Sequence, residues 1–329
     1  MKKVLITGGA GFIGSHLAEA LLKEGNKVVV IDDLSTGRLS NIAHIKSNPR
    51  FSYHIDTIMN EKIMRCLIKE CDIVYHLAAA VGVKYIIDNP LESLKTNVEG
   101  ANIVLDLANS LGKKKVMIAS TSEIYGKDRP GKRRFKEDDD RVLGSTMISR
   151  WSYSCAKAMD EFLSLAYWRQ KKLPIVIVRF FNTCGPRQTG RYGMVVPRFV
   201  KQALSGGPIT IYDNGKQTRC FTDVRDSVKA IILLSKNHNA EGEVFNIGNP
   251  ANKITINGLA KKIKWMVKSG SAIRYLSYEK AYDKGFEDMR HREPDIAKLK
   301  KFTSFEPSIN IDDMLREIIK DMKLGDKRK

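Results

Sequence analysis

The chain contains no apolar run approaching the roughly 20 residues that a membrane-spanning helix needs. It has no CxxC pair, and no tract biased towards proline, glycine or glutamine. The first absence excludes a helical membrane protein. Strand-forming residues begin by about Val4, leaving no room for a signal sequence, so a soluble, cytoplasmic protein with no membrane partner is expected. Cysteines are few, odd in number and scattered, at Cys66, Cys71, Cys155, Cys184 and Cys220, with no histidine at ligand spacing. That pattern excludes a disulfide framework and offers no metal site; reduced thiols are expected. Without biased tracts the chain should fold throughout.

Negative charge is also scarce. The 37 Asp+Glu stand against 56 Lys+Arg, a formal net charge of +19, which favours anionic partners such as nucleotides or phosphorylated sugars. Only the run Lys113-Lys114-Lys115 and the tail Asp326-Lys327-Arg328-Lys329 are dense, and neither interleaves aromatics. The excess therefore reads as solvated surface, and no nucleic-acid partner is expected.

A length of 329 residues suits one large domain or two intimately joined ones. Apolar runs at Val4–Ile6, Val28–Ile31, Ile73–Tyr75, Val116–Ile118 and Ile175–Val178 lack polar alternation, as strands buried on both faces of a parallel sheet do. Helical patterns lie between them: Phe12–Lys23 stopped by Gly25, Leu91–Asn109 stopped by Gly112, and Trp151–Lys171 stopped before Pro174. The expected class is α/β, a Rossmann-like doubly wound parallel sheet with helices on both faces.

After Phe181 the rhythm changes. A loop rich in Gly, Pro and Arg leads to a helix at Val196–Leu204 and a short strand at Ile209–Tyr212. Val224–Leu234 and Val244–Ile247 read as helix then strand, while Ile256–Val267 and Ile311–Met322 look like amphipathic cover helices. The expected organisation is a first domain over residues 1–181, with 221–249 returning to it. A smaller C-terminal α/β lobe would take 182–220 and 250–323, followed by a basic tail at 324–329.

The segment Thr7-Gly8-Gly9-Ala10-Gly11-Phe12-Ile13-Gly14 joins the first strand to the first helix. Gly8, Gly11 and Gly14 form a GxxGxxG, and Gly9, Gly11 and Gly14 a GxGxxG. Such glycines allow a tight turn and let backbone approach a pyrophosphate, while the helix N-terminus attracts its charge. The second strand ends at Asp32, 18 positions beyond Gly14, where a carboxylate would accept from the adenosine ribose hydroxyls and repel a 2′-phosphate. NAD is therefore expected rather than NADP, with Arg38 the one nearby residue pulling the other way. Asp56, after Phe51–Ile55, is placed to meet the adenine edge.

Tyr153 and Lys157 stand four apart on one helix, so their side chains emerge on one face. An ammonium beside a phenol lowers its pKa and lets it take a proton from a substrate hydroxyl. Combined with the N-terminal fingerprint and Ser120-Thr121-Ser122-Glu123-Ile124-Tyr125-Gly126, the pair brings a family into view. Along essentially its whole length the chain resembles the extended short-chain dehydrogenase/reductases that act as nucleotide-sugar epimerases, dehydratases and decarboxylases. The matching stretches are TGGAGFIGSH, HLAAAVGV, the Asn97 helix, ASTSEIYG, RWSYSCAK, RFFNTCGPR, VVPRFV, GKQTRCFTDVRD and HREPD.

The resemblance implies a catalytic triad of Thr121, Tyr153 and Lys157, with Lys157 also holding the nicotinamide ribose. It implies NAD contacts from Gly8, Gly11, Phe12, Ile13, Gly14, Asp32, Asp56, Leu77, Ala78 and Ala79. Asn182, Arg219 and Arg292 would meet the diphosphate of a UDP-sugar, and Val196, within Val195–Phe199, would line the base pocket. Arginine suits that role because its planar fork donates twice. A homodimer through two helices per subunit is implied as well, with Met159, Phe162 and Leu163 fitting such a contact and an ordinary core equally well.

In this group the first step makes a 4-keto sugar. The 4,6-dehydratases carry Thr-Asp-Glu where this chain has Thr121-Ser122-Glu123, and Ser122 is too weak an acid to replace that aspartate. Thr-Ser-Glu occurs in both UDP-glucuronate decarboxylases and UDP-glucuronate 4-epimerases, whereas UDP-glucose 4-epimerases usually have Ser-Ala-Thr. A uronate substrate is thus expected. An epimerase must stop the β-keto acid losing CO₂, and Thr183, Arg187 and Ser122 are the candidates for pinning its carboxylate. The contexts of Tyr153, Thr183 and Arg219 look closer to the uronate epimerases, so UDP-glucuronate 4-epimerisation is the expected reaction. Glu123 is the feature that argues for a decarboxylase instead, and a neutral UDP-glucose or UDP-N-acetylglucosamine epimerase is the further alternative. A non-enzymatic NAD or sugar-nucleotide sensor has no use for an intact Thr121, Tyr153 and Lys157.

Overall fold

A computed structural model describes residues 1–127, 131, 134–190, 193–281 and 289–326. The five apolar runs, together with the strands expected at Phe51–Ile55 and Val244–Ile247, become seven parallel strands of one sheet: Lys3–Thr7, Lys27–Asp32, Phe51–Ile55, Ile73–His76, Lys115–Thr121, Ile175–Phe180 and Glu243–Ile247. Numbered along the chain, their order across the sheet is 7-6-5-4-1-2-3. The order reverses between strands 1 and 4, and ligands of such sheets bind at that crevice beyond the carboxyl ends.

Alternation along the strands feeds two cores. Val4, Ile6, Val28 and Val30 pack on one face with Leu17, Leu21 and Ile231. Leu5, Val29, Ile31 and Val74 pack on the other with Met64, Ile68 and Val104. Both faces are covered, which is why the strands read as continuous apolar runs. The helix at Arg150–Ala166 passes into a π-helical turn at Tyr167–Lys171, and Lys172 ends it in the left-handed region just before Leu173-Pro174.

A third core joins Val196, Phe199, Leu259, Ile263, Leu315 and Ile318 from helices Val195–Leu204, Ile256–Val267 and Ile311–Asp326. Small sheets that the linear pattern does not reveal brace this lobe. Thr218–Cys220 pairs with both Lys253–Thr255 and His291–Arg292, and Ile209–Tyr212 with Ile273–Leu276. Among the described residues no helix is long and apolar enough to cross a membrane. The last three residues of the expected basic tail, 327–329, lie outside the described residues.

Candidate active site

The turn between the first strand and first helix is shaped by close backbone approach. Gly8 has a φ of +70°, and a Cβ there would lie 2.9 Å from the Ala78 backbone. A Cβ on Gly14 would lie 2.2 Å from the Gly8 carbonyl oxygen, so any side chain would push helix from strand. The Phe12–Lys23 helix is capped by Gly11 without a side-chain hydrogen bond, and Gly11, Phe12, Ile13 and Gly14 turn towards a cavity of about 420 Å³. This is the anion-attracting end of a helix dipole.

Asp32 lines the same cavity. Its carboxylate accepts from the amides of Ala10 and Leu34, both at 2.9 Å. Burial raises its pKa against those two bonds. Asp56, Leu77, Ala78 and Ala79 complete the walls. The Ala78 amide donates to Thr7 Oγ1 at 3.1 Å, and Asn97 clasps Ala80, accepting at 2.8 Å and donating at 3.2 Å. Arg38 is not among the lining residues; its amide donates to the Ala10 carbonyl at 3.0 Å.

Thr121 ends the fifth strand and Tyr153 faces the cavity beside it. Burial drives the Tyr153 phenol well above its ordinary pKa, and the carboxylates of Glu123 and Asp160 push the same way; the Thr121 hydrogen bond and Arg292 oppose them. The expected lowering by Lys157 does not prevail, because desolvation dominates and the ammonium is turned to Asp160, 2.7 Å away. His76, buried behind Lys157, falls to about 3 through burial and the ammonium's charge, so it is neutral.

Ser122–Tyr125 form a single 3₁₀ turn whose first amide donor, Glu123 N–H, bonds Thr121 Oγ1 at 3.2 Å. Ser154 Oγ anchors the turn by donating to the Glu123 carbonyl at 2.9 Å. The Glu123 carboxylate meets the Arg292 guanidinium at 3.4 Å and Arg150 Nη2 at 3.8 Å, and Arg292 also reaches Ser122 Oγ at 3.4 Å. Arg292 sits in register with Arg219 on the adjoining strand, and both line the second cavity. A second cavity of about 180 Å³ continues from the first, lined by Glu123, Asn182, Thr183, Val196, Arg219 and Arg292.

The residues expected from the sequence thus converge on two joined cavities, with two exceptions. Lys157 stands behind Tyr153 rather than on the wall. Arg187 is turned away: with φ at +69°, it sends its guanidinium to Glu19 at 2.8 Å and Ser15 at 3.3 Å, and its amide to Asp321 at 2.9 Å. Thr183 lines both cavities, but its hydroxyl is engaged with Ser227 at 3.1 Å.

Sequence reasoning missed Arg150, Gln188, Gln217 and Tyr278, all lining the second cavity, which Arg198, within the Val195–Phe199 stretch expected at the base pocket, lines as well. The Arg198 guanidinium lies 3.9 Å over the Tyr212 ring. Arg150 had a readable signal. It opens the Arg150–Ala166 helix, where the positive end of the dipole disfavours a cation, and it is buried all the same.

The family model described as GDP-mannose 4,6 dehydratase matches residues 5–318. The chain is 42% identical over 320 residues to the UDP-N-acetyl-alpha-D-glucosaminuronate decarboxylase of Bacillus cytotoxicus, covering 97% of both chains. It is 36% identical over 318 residues to UDP-glucuronic acid decarboxylase 1 of Xenopus tropicalis, covering 97% of this chain and 71% of that one. A solved UDP-glucuronic acid 4-epimerase from Bacillus cereus, holding UDP-glucuronic acid and NAD, superposes with a TM-score of 0.88 at 29% identity over 98% of this chain and 99% of that one.

Proposed function

The chain belongs to the family that the GDP-mannose 4,6-dehydratase model describes, the NAD-dependent nucleotide-sugar enzymes of the extended short-chain dehydrogenase/reductases, and from that premise we propose that it decarboxylates a UDP-linked hexuronate. The cradle fits the cofactor: Gly8, Gly11, Phe12, Ile13 and Gly14 line the cavity at the N-terminal end of the Phe12–Lys23 helix, where a pyrophosphate can approach the backbone. Asp32, Asp56 and the Leu77–Ala79 wall would hold the adenosine half, and Lys157 would hold the nicotinamide ribose. Bound NAD would supply a reversible hydride acceptor for C4 of the sugar, and its ring cation would favour the Tyr153 phenolate against the burial that raises its pKa.

Tyr153 takes the C4 hydroxyl proton while Thr121 orients that hydroxyl. The resulting ketone is β to the carboxylate, so the C5–C6 bonding pair can pass into the C4 carbonyl as CO₂ departs. Glu123 disfavours a second carboxylate beside it and favours its leaving as a neutral gas. Arg292 stands ready for the enolate charge. Asn182 and Arg219 grip the diphosphate, and Val196 lines the base pocket.

The observation that carries this reading is the contrast between Glu123 and Arg187. An epimerase needs its substrate carboxylate pinned, yet Arg187 is committed to Glu19 and Ser15, and the Thr183 hydroxyl to Ser227. Inside the pocket stands a carboxylate, held by two arginines. The decarboxylase relatives support the same choice. Epimerisation remains the second reading, favoured by the likeness to the Bacillus cereus epimerase.

Incubation with NAD and either UDP-glucuronate or its 2-acetamido counterpart should release CO₂ and a UDP-pentose. A UDP-hexuronate epimer without CO₂ would overturn the proposal. The exposed Leu91 and Leu94 on one helix and Met159 and Phe162 on its packed neighbour support a homodimer through those faces, which sizing would test.

A further inference from the structure

Two buried carboxylates follow one another on the Arg150–Ala166 helix, and they are satisfied very differently. Glu161 is gripped by Arg179 through Nε at 2.9 Å and Nη2 at 2.7 Å, and accepts from Ser120 at 2.5 Å. Asp160 is fully buried, takes Lys157 Nζ at 2.7 Å on Oδ2, and has no hydrogen-bond partner on Oδ1 among the described residues. Burying a carboxylate on a single ion pair is costly, and replacing both partners of such a pair by apolar side chains is often neutral or stabilising. The charge of Asp160 is therefore what calls for explanation.

Its effect is on the charge balance behind Tyr153. Lys157 and Asp160 cancel, and so do Arg179 and Glu161. His76, facing Lys157 from the fourth strand, is neutral, as is the Tyr153 phenol. On the far side of that ring Glu123 is met by Arg150 and Arg292. The nicotinamide ring is a cation in NAD and neutral in NADH, so an uncompensated ammonium beside it would favour the reduced form. An enzyme that must return the hydride it takes cannot use a cofactor trapped as NADH.

We infer that Asp160 is a positioning residue that holds Lys157 and cancels its charge, keeping oxidised and reduced cofactor at comparable affinity. The inference rests on the reading in which Lys157 holds the nicotinamide ribose, and is independent of which sugar product is formed.

The test equilibrates the full-length protein with mixtures of NAD and NADH, then releases and quantifies the bound nucleotides. No sugar is present, so a failed substrate assignment leaves the result interpretable. Asp160→Asn keeps the shape and an oxygen to accept from Lys157 while removing the charge, and the bound ratio should move towards NADH about tenfold, the size of one uncompensated charge in a partly buried site. Lys157→Gln should move it towards NAD, and the double variant should return to the native ratio.

A displacement caused by mere loss of structure has no reason to reverse in the double variant. An unchanged ratio in Asp160→Asn overturns the inference, as does a double variant that stays displaced towards NADH. If Asp160→Asn does not fold, Lys157→Gln carries the test alone, and an unchanged or NADH-favouring ratio there overturns it equally.

Discussion

The wall proposed to hold the cofactor and the wall proposed to hold the sugar, here the cofactor wall and the sugar wall, are built on opposite plans. The cofactor wall is largely backbone, Gly8 to Gly14 facing Leu77 to Ala79, and its acid Asp32 is tied down by two amides. The sugar wall is side chains brought from far apart: Ser122 and Glu123, Arg150, Asn182 and Thr183, Arg219, and Arg292. A backbone wall can change only by breaking, whereas a side-chain wall changes its chemistry with one substitution. That difference explains how proteins similar to this chain share the fold and carry names of different reactions, decarboxylases at 42% and 36% identity and a 4-epimerase with a TM-score of 0.88.

The largest effect should come where the two walls meet. Tyr153→Phe removes the proton acceptor and keeps the ring, so turnover should fall by about 10³-fold while NAD stays bound; release of bound NAD in this variant would assign Tyr153 to the cofactor wall instead. Next is the backbone wall itself. Gly14→Ala places a Cβ 2.2 Å from the Gly8 carbonyl oxygen, and should destabilise the protein by about 2 kcal/mol with a parallel loss of NAD affinity. Thermal melting with and without NAD measures both, and a native-like melt would show that the turn can yield.

On the side-chain wall, Glu123→Gln removes a charge and little volume. CO₂ release should slow by about tenfold or more, with NAD affinity and melting temperature unchanged. A matching loss of NAD affinity would mean the walls are not separable. Epimer formation appearing as CO₂ release falls would sharpen the comparison, because one sugar-wall residue would then separate the two reactions.

The same division governs what could be read in advance. The cofactor wall was legible because it is local: strand, glycine turn, helix and terminal acid lie within the first 33 residues, and the Phe12–Lys23 helix has the bounds its pattern predicts. The sugar wall depends on contacts between residues such as Glu123 and Arg292, 169 positions apart. Their motifs named the positions but not the directions of the side chains. Arg150 went unseen because, among 56 basic residues, its one cue, a cation at the positive end of a helix dipole, passed for an ordinary solvated charge. Lys157 was placed correctly on its helix, yet its ammonium points to Asp160, a partner three residues on that spacing alone does not select.

Arg187 is the case where motif and geometry part, and it should give the smallest effect. Its guanidinium lies against Glu19 of the first helix, a partly buried pair at 20% side-chain exposure on each side. Burial would raise the Glu19 carboxyl, but Arg187 and His44 together hold it below its ordinary value. A carboxyl lowered by folding stabilises the native state above its unfolded pKa, and that contribution disappears as pH falls through the folded value. Arg187→Ala should therefore cost about 1 kcal/mol at neutral pH, and the difference from native should shrink in acid. Decarboxylation should be nearly unchanged, since the residue does not line either cavity. Loss of activity with unaltered stability would return Arg187 to the sugar wall, and with it the pinned carboxylate that epimerisation requires.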